Sequence, residues 1–272
     1  MRKTQEVALL GRPYARAAMS ILARLSGSSE VQKHPLATKR EVKRTALVII
    51  TSDKGLAGAL NSGVIKAASA SIAGIAKDSV TVFAYGKKGE DFFRRREYAI
   101  ARAIENKRDD VPLSAMSELS EELSRGFLAG EYDQVVAAYS NFKSTFEQAP
   151  TVRTLLPLSL EAIEELVRDI QPVKGKWSSD VTIEAPDTYS VEPSTDEVLG
   201  ILVPRLVAVS LYHMLLESKA SEHSARMVAM KSASDKSKEV TRDLTRVYNK
   251  VRQAAITREV SEIVGGREAL AS

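Results

Sequence analysis

The chain has 272 residues, 44% of them hydrophobic and 27% charged, a composition that supports a folded globular protein with room for one large domain or two small ones and excludes a wholly disordered or fibrous chain. Cysteine is absent, which removes disulfides, thiolate metal ligands and cysteine nucleophiles together and fits a reducing compartment. The net charge of +4, from 39 basic and 35 acidic residues, carries meaning only if it is concentrated in one place.

No stretch reaches 18 apolar residues without a charge, so no spanning helix is expected. Near the start, Val7 to Leu10 is too short for a signal-peptide core before Gly11-Arg12-Pro13. Val7, Leu10, Tyr14, Ala17 and Ile21 repeat at three-four spacing, so residues 1–44 read as an N-terminal helix kinked by Gly11 and Pro13.

Residues 45–170 read as a small doubly wound α/β domain. Thr45 to Thr51 is a continuous apolar, β-branched run, the pattern of a buried parallel strand. A turn follows over Ser52 to Gly58, then a helix from about Ala59 to Ala76. Val80 to Tyr85 is a second strand running into a Gly86 to Gly89 loop. An amphipathic helix over Ser117 to Leu128 leads to a strand at Gln134 to Tyr139, with a further strand at Val152 to Leu158. Residues 171–195, punctuated by proline, read as an irregular connection.

Residues 196–272 read as one long helix, because Arg205 to Val264 is 60 residues with neither glycine nor proline. Such a segment would be roughly 90 Å long, against a radius of gyration of about 18 Å for a compact chain of this length. The globule is too small to cover it, so packing on its own domain is the weaker expectation. Steps of three and four from Leu206 pass through Val209, His213, Leu216, Ala220, His223, Met227, Met230, Ser234, Ser237, Thr241, Leu244, Tyr248, Val251 and Ala255, with no Lys, Arg, Asp or Glu. That column is a coiled-coil seam with a thin, small-residue middle, and Leu216, Met227, Met230, Leu244, Tyr248 and Val251 are its main apolar members. The N-terminal helix is an antiparallel partner in the same chain, though much shorter.

The two loops at the carboxyl ends of the strands are where such a domain would hold a ligand. Neither has the G-x-x-x-x-G-K-[ST] or G-x-G-x-x-G spacing of a phosphate cradle. Asp53 beside Lys54 reads as a cap and an exposed ion pair rather than as an acid and base. His213 and His223 lie some 15 Å apart along a helix and cannot share an ion within one chain. Arg94, Arg95 and Arg96 read as a solvated face. The charge excess has an address: Lys231 to Glu259 holds eight basic and four acidic residues, a difference equal to the whole net charge of +4. A basic rod suits an acidic protein cavity better than nucleic acid, since its acids would repel phosphate and Tyr248 is its one aromatic residue.

Specific strings go further. Ala220-Ser-Glu-His-Ser-Ala-Arg-Met-Val-Ala-Met-Lys231 and Tyr248-Asn-Lys-Val-Arg-Gln-Ala-Ala-Ile-Thr-Arg-Glu-Val-Ser-Glu-Ile-Val264 closely resemble the end of the gamma-subunit family of F-type ATP synthases. Ser52-Asp-Lys-Gly-Leu-Ala-Gly-Ala-Leu-Asn61 is similar to that family's hallmark loop, and Arg12-Pro-Tyr-Ala15, Lys33-His-Pro35 and Glu192-Pro193 fall in its order. The resemblance implies a central-stalk rotor whose terminal helices form an antiparallel coiled coil inside a ring of alternating alpha and beta subunits. Its α/β domain would sit outside that ring as part of the central stalk, with epsilon and the membrane c-ring as further partners. Proton flow would turn the shaft and drive ATP synthesis on the beta subunits, with no catalytic residue, cofactor or metal in the chain itself. By the same resemblance Arg252 and Gln253 match a pair that meets an acidic loop of the beta subunit, and Tyr189 and Glu192 lie in the foot segment near epsilon and the c-ring. It also places the chain peripherally at the cytoplasmic face of a bacterial plasma membrane.

The family usually has a further basic helical segment before the region matched by Met1 to Gln5, so a misplaced start codon or a shortened clone is expected, and an in-frame stop just upstream would oppose it. Two other classes remain: a doubly wound α/β enzyme with helical dimerisation arms, and a basic coiled-coil module that binds nucleic acid.

Overall fold

The computed structural model of the chain describes residues 35–107, 113–158 and 195–271. The expected N-terminal repeat from Val7 to Ile21, the expected 171–195 connection up to residue 194, and Tyr189 and Glu192 lie outside the described residues, while Thr195 already belongs to a helix. Residues 35–44 form turns and irregular chain leading into the first strand.

The elements run β1 (Thr45–Ile50), α1 (Leu60–Ser71), β2 (Val80–Tyr85), α2 (Lys87–Arg94), β3 (Ala99–Ile104), α3 (Leu113–Leu128), β4 (Gln134–Phe142), β5 (Gln148–Leu156) and α4 (Thr195–Ala271). One sheet has the order β3-β2-β1-β4-β5. β1 pairs in parallel with β2 and β4, β2 in parallel with β3, and β4 antiparallel with β5. The doubly wound expectation therefore holds for four strands. β5 differs because a hairpin, too short for a crossover, brings the chain straight back along β4.

Every residue of β1 is buried, as its unbroken apolar run requires, because helices cover both faces of a parallel sheet. Ala46, Val48 and Ile50 pack with Phe83, Tyr85, Val135, Ala137 and Tyr139 of neighbouring strands and with Met116, Leu119, Leu123 and Phe127 of α3. Leu47 and Ile49 point the other way, into a cluster with Val82, Ala84, Val136, Ala138, Val64 and Ala68 of α1, and Phe93 of α2. At about 1.5–3 kcal/mol for each large side chain removed from water, these two clusters supply most of the domain's stability.

β3 lies in a stretch where the sequence pattern predicts no strand. Its Ala-Ile-Ala-Arg-Ala-Ile pattern alternates exposed and half-buried residues at a sheet edge, which lacks the apolar run of a central strand. Arg102 on β3 reaches Glu122 of α3 at 2.9 Å and Glu118 at 3.3 Å, fixing that helix over the edge. β5 begins earlier than expected and contains Pro150, which an edge strand tolerates because one side of its ladder is free.

The described chain divides into two compact units, one up to Arg226 and one from Met227. Within the first, Leu206, Val207, Leu211, Met214 and Leu215 of α4 are core residues of the α/β domain. This part of α4 packs on its own domain, the arrangement that length arithmetic disfavours for the helix as a whole. The packing also carries the helix through Pro204, whose ring costs about 3 kcal/mol in a helix interior. Ser120 of α3 donates a 2.6 Å bond to the Pro204 carbonyl. In the second unit the chain is helical throughout its described length, and residues 231–254 are all exposed.

The start of β1 is tied by Asp133, whose Oδ2 accepts the N–H groups of Lys43 at 3.1 Å and Arg44 at 2.9 Å. Desolvation pushes this carboxyl up, but the N–H groups of Arg44 and Lys43 outweigh it and hold its pKa below the usual value. A carboxyl with a depressed folded pKa contributes stability above its unfolded pKa and loses it as pH falls through the folded one. Asp133→Asn is therefore expected to lower stability by about 1 kcal/mol at pH 7, with the gap from the unaltered chain closing below about pH 4. Urea unfolding of both proteins at pH 7, 5 and 3.5 measures this.

Candidate functional site

The carboxyl ends of β1, β2 and β3 come together where a doubly wound domain would hold a ligand. Instead they are bonded to one another. Thr51 N–H donates to the Tyr85 carbonyl at 2.8 Å, and Gly86 N–H donates to the Ile104 carbonyl at 2.8 Å. Gly86 has φ of 102° and lies so close to Thr51 that a β-carbon would collide with the Thr51 carbonyl oxygen. The chain then enters α2 at once, so the expected Gly86 to Gly89 loop is a turn residue followed by the first turn of a helix.

A helix N-terminus presents unsatisfied N–H groups, the usual seat of a phosphate. Here the β1–α1 loop fills that seat. Asp53 Oδ1 accepts Lys87 N–H at 2.8 Å, and Thr51 Oγ1 accepts Gly89 N–H at 2.9 Å. Asp53 Oδ2 accepts Asn106 N–H at 2.9 Å, and Asn106 Nδ2 donates to the Thr51 carbonyl at 2.8 Å. Asn61 holds the loop from α1, accepting Ser52 N–H at 3.0 Å and donating to Ser52 Oγ at 2.8 Å. Asp53 is thus a cap, as expected, but for a helix 34 residues ahead, and Lys54 is exposed. Burial, helped by the Asp53 charge, pushes the Tyr85 hydroxyl up to about 12, so it stays neutral at ordinary pH.

No group of three or more metal-ligating side chains exists among the described residues. His213 lies 3.7 Å from Glu217, one turn along the same helix. Arg94 pairs with Glu90 at 2.7 Å and the Arg96 guanidinium stacks 3.6 Å over the Phe92 ring, while all three arginines stay exposed, as a solvated face requires.

At the other side of the sheet, β4 continues to Phe142 although its pairing with β1 ends at Ala138. Three α4 side chains take over from the missing strand. Ser218 Oγ accepts Ser140 N–H at 3.1 Å, Ser221 Oγ donates to the Ser140 carbonyl at 3.2 Å, and Glu217 Oε2 accepts Phe142 N–H at 2.8 Å. Arg226 pairs with Glu222 at 2.6 Å and reaches the Gly55 carbonyl of the hallmark loop at 3.5 Å. Sequence reasoning missed this joint. Its signal was the pair Ser218 and Ser221 beside Glu217, small polar residues on a turn that a purely apolar seam would not carry.

The residues expected to meet partners divide between the two units. Leu216 is buried in the first. Met227, Met230, Leu244, Tyr248 and Val251 are in the second, and their exposure runs from 49% to 65%. Arg252 and Gln253 are exposed neighbours on the same helix, and Arg252 makes no ion pair among the described residues. Part of the basic charge is paired along the helix, Lys236 with Glu239 at 2.8 Å and Arg246 with Asp243 at 3.9 Å. Such exposed pairs contribute little. No helix among the described residues is long and apolar enough to cross a membrane.

Comparison with known proteins agrees along the whole chain. The family described as ATP synthase matches residues 1–270. The ATP synthase gamma chain of Roseiflexus castenholzii is 40% identical over 277 residues, covering 100% of this chain and 89% of that one. The ATP synthase gamma chain of Heliobacterium modesticaldum is 38% identical over 270 residues, covering 99% and 89%. Among solved structures, a chain from the rotational state 3 structure of Euglena gracilis mitochondrial ATP synthase (OSCP/F1/c-ring) has a TM-score of 0.61 at 18% identity, covering 99% of this chain and 89% of its own. A chain of the Tetrahymena thermophila mitochondrial ATP synthase central stalk and c-ring has a TM-score of 0.58 at 24% identity, covering 86% and 98%. At these identities the structural likeness concerns the fold.

If Asp53 is a structural cap, Asp53→Ala removes two charge-assisted bonds and lowers stability by about 1.5–3 kcal/mol. Lys54→Ala, one residue away and exposed, should stay within about 0.5 kcal/mol. Denaturant titration of the two variants separates them, and equal effects would remove Asp53 from this role.

Proposed function

Because the chain belongs to the ATP synthase gamma-chain family, we propose that α4 is the shaft of a rotary motor and that the α/β domain is the body by which it is turned. The chain is a gamma subunit, a central-stalk component of an F-type ATP synthase, and is itself non-catalytic. The observation that carries the mechanical reading is α4 itself: 77 consecutive helical residues, the front of them in the domain core and residues 231–254 exposed. A helical segment, hydrogen-bonded along its own length, resists twisting better than loops do, which suits a part that must carry torque.

In this reading the exposed segment turns within the ring of alpha and beta subunits. Met227, Met230, Leu244, Tyr248 and Val251 supply an apolar stripe for an antiparallel partner, the segment from Val7 to Ile21 being the one available in this chain. The basic charge faces acidic loops of the surrounding subunits. Polar and charged contacts exchange with rotation at little cost, whereas a continuous apolar interface would trap one angle. Arg252 and Gln253 are the specific contact, since an unpaired guanidinium bonds a carboxylate in a bidentate way that neighbouring lysines do not match. The α/β domain sits toward epsilon and the c-ring, with Tyr189 and Glu192 at the foot. Proton flow through the c-ring turns the shaft, and the shaft drives each beta subunit through binding, synthesis and release of ATP. Attachment to the cytoplasmic face of a bacterial plasma membrane comes through the complex.

The reading is tested by purification and reconstitution. The chain should recover with alpha, beta and epsilon subunits and raise the ATPase activity of an alpha-beta mixture. Recovery alone, with tight binding of a small metabolite, would favour the enzyme alternative. Within the reconstituted complex, Arg252→Ala should weaken binding to the alpha-beta assembly about tenfold, the equivalent of about 1.4 kcal/mol, while Lys238→Ala changes it less than about twofold. Titrating each variant against the rise in ATPase activity gives both numbers, and equal effects would reduce Arg252 to one charge among several.

A further inference from the structure

A strand that outruns its neighbour leaves backbone N–H and C=O groups without partners, and burial makes each of them costly unless something else bonds them. At the end of β4 that partner is a helix. The three bonds from Glu217, Ser218 and Ser221 converge on Ser140 and Phe142, and Ser140, Ser218 and Ser221 are 2%, 6% and 0% exposed. Glu217 is also largely enclosed, its side chain 11% exposed.

The rest of the helix root is held differently. Leu206, Val207, Leu211, Met214 and Leu215 lie in the apolar core, and such packing resists separation while permitting a helix to slide or roll by an ångström or so. Hydrogen bonds are directional, weakening steeply with a small change of angle or distance. Side chains at positions 217, 218 and 221 occupy one side of the helix across a single turn. Bonded to two residues of a central strand, they fix its roll and its register together. They also lie within three turns of Met227, where the second compact unit of the described chain begins.

From this geometry we infer that Glu217, Ser218 and Ser221, bonded to the backbone of Ser140 and Phe142, form the torque-bearing joint that locks rotation of α4 to the sheet. The inference rests on the reading of α4 as a rotor shaft. These are positioning residues: they touch no nucleotide and act by keeping the angle of the shaft equal to the angle of the domain. Packing resists separation of the helix from the sheet, and the polar joint bears the twist.

The test uses the whole complex reconstituted into vesicles, with the chain carrying Glu217→Ala, Ser218→Ala and Ser221→Ala together. Hydrolysis of ATP should stay within about twofold of the unaltered complex, while protons pumped per ATP fall roughly threefold or more, as the loss of three directional bonds lets the domain lag behind the shaft. Glu217→Gln in place of Glu217→Ala keeps an acceptor oxygen for Phe142 N–H and should restore part of the ratio. Arg102→Gln is the control, since it removes the β3–α3 bonds and softens the same domain away from α4. A ratio unchanged in the triple variant overturns the inference, as does an equal loss of ratio in the Arg102→Gln complex. Should the triple variant not assemble, Ser218→Ala alone must lower the ratio by a smaller step, and an unchanged ratio there overturns it equally. Failure of the unaltered chain to join alpha and beta subunits would overturn the rotor reading itself and this joint with it.

Discussion

Leu206, Val207, Leu211, Met214 and Leu215 bury one side of α4 in the same cluster as Val48, Phe83 and Tyr139, so the longest element of the chain begins as part of a globular core. The other features follow from that seat. A helix of 77 residues gains little from intrinsic propensity over its exposed length, and its position must be set where tertiary contacts exist. The core helix α3 packs beside it, and Ser120 bonds the carbonyl of Pro204, the one proline inside α4. The end of β4, where β1 no longer reaches, completes the seat with backbone groups that only polar side chains can satisfy.

The same economy governs the carboxyl edge of the sheet. In a nucleotide-binding domain this edge stays open, with glycines exposing helix N–H groups to phosphate. Here Asp53 and Thr51 take the N–H groups of Lys87 and Gly89, and Asn61 and Asn106 brace the loop from either side. The sheet has parallel strands with helices on both faces, but the seat at its carboxyl edge is filled by internal bonds. The loop is held for a reason independent of catalysis: three strands and two helices bond through it, and Arg226 of α4 reaches its Gly55 carbonyl.

Much of this was legible beforehand, and the division follows physical lines. β1 and β2 are readable because both faces of each are buried, which leaves an unbroken apolar run in the sequence. β3 is not, since an edge strand of alanines alternating with isoleucine and arginine resembles many exposed segments. Gly86 to Gly89 looks like a loop because the acceptors that let α2 start at Lys87 sit on Asp53 and Thr51, more than 30 residues earlier. The antiparallel course of β5 depends on a five-residue hairpin over 143–147, whose direction no local pattern announces. Arg252 and Gln253 were found through their resemblance to a family string, and the geometry adds that they are exposed, with Arg252 unpaired among the described residues.

By itself the sequence determined that residues 205–264 form one helical run, that the excess charge lies on it, and that the family strings run the length of the chain. Those properties are local or additive: a glycine-free and proline-free run, a count of charges, a string of letters. Only the tertiary structure decided that the helix front belongs to the α/β core, that Asp53 caps α2 rather than pairing with Lys54, and that Glu217, Ser218 and Ser221 close the open edge of β4. The last two join residues 34 to 81 positions apart, and the first reaches residues still more distant. A backbone group without a strand partner takes whichever side chain the fold brings within about 3 Å, and sequence spacing holds no record of that choice.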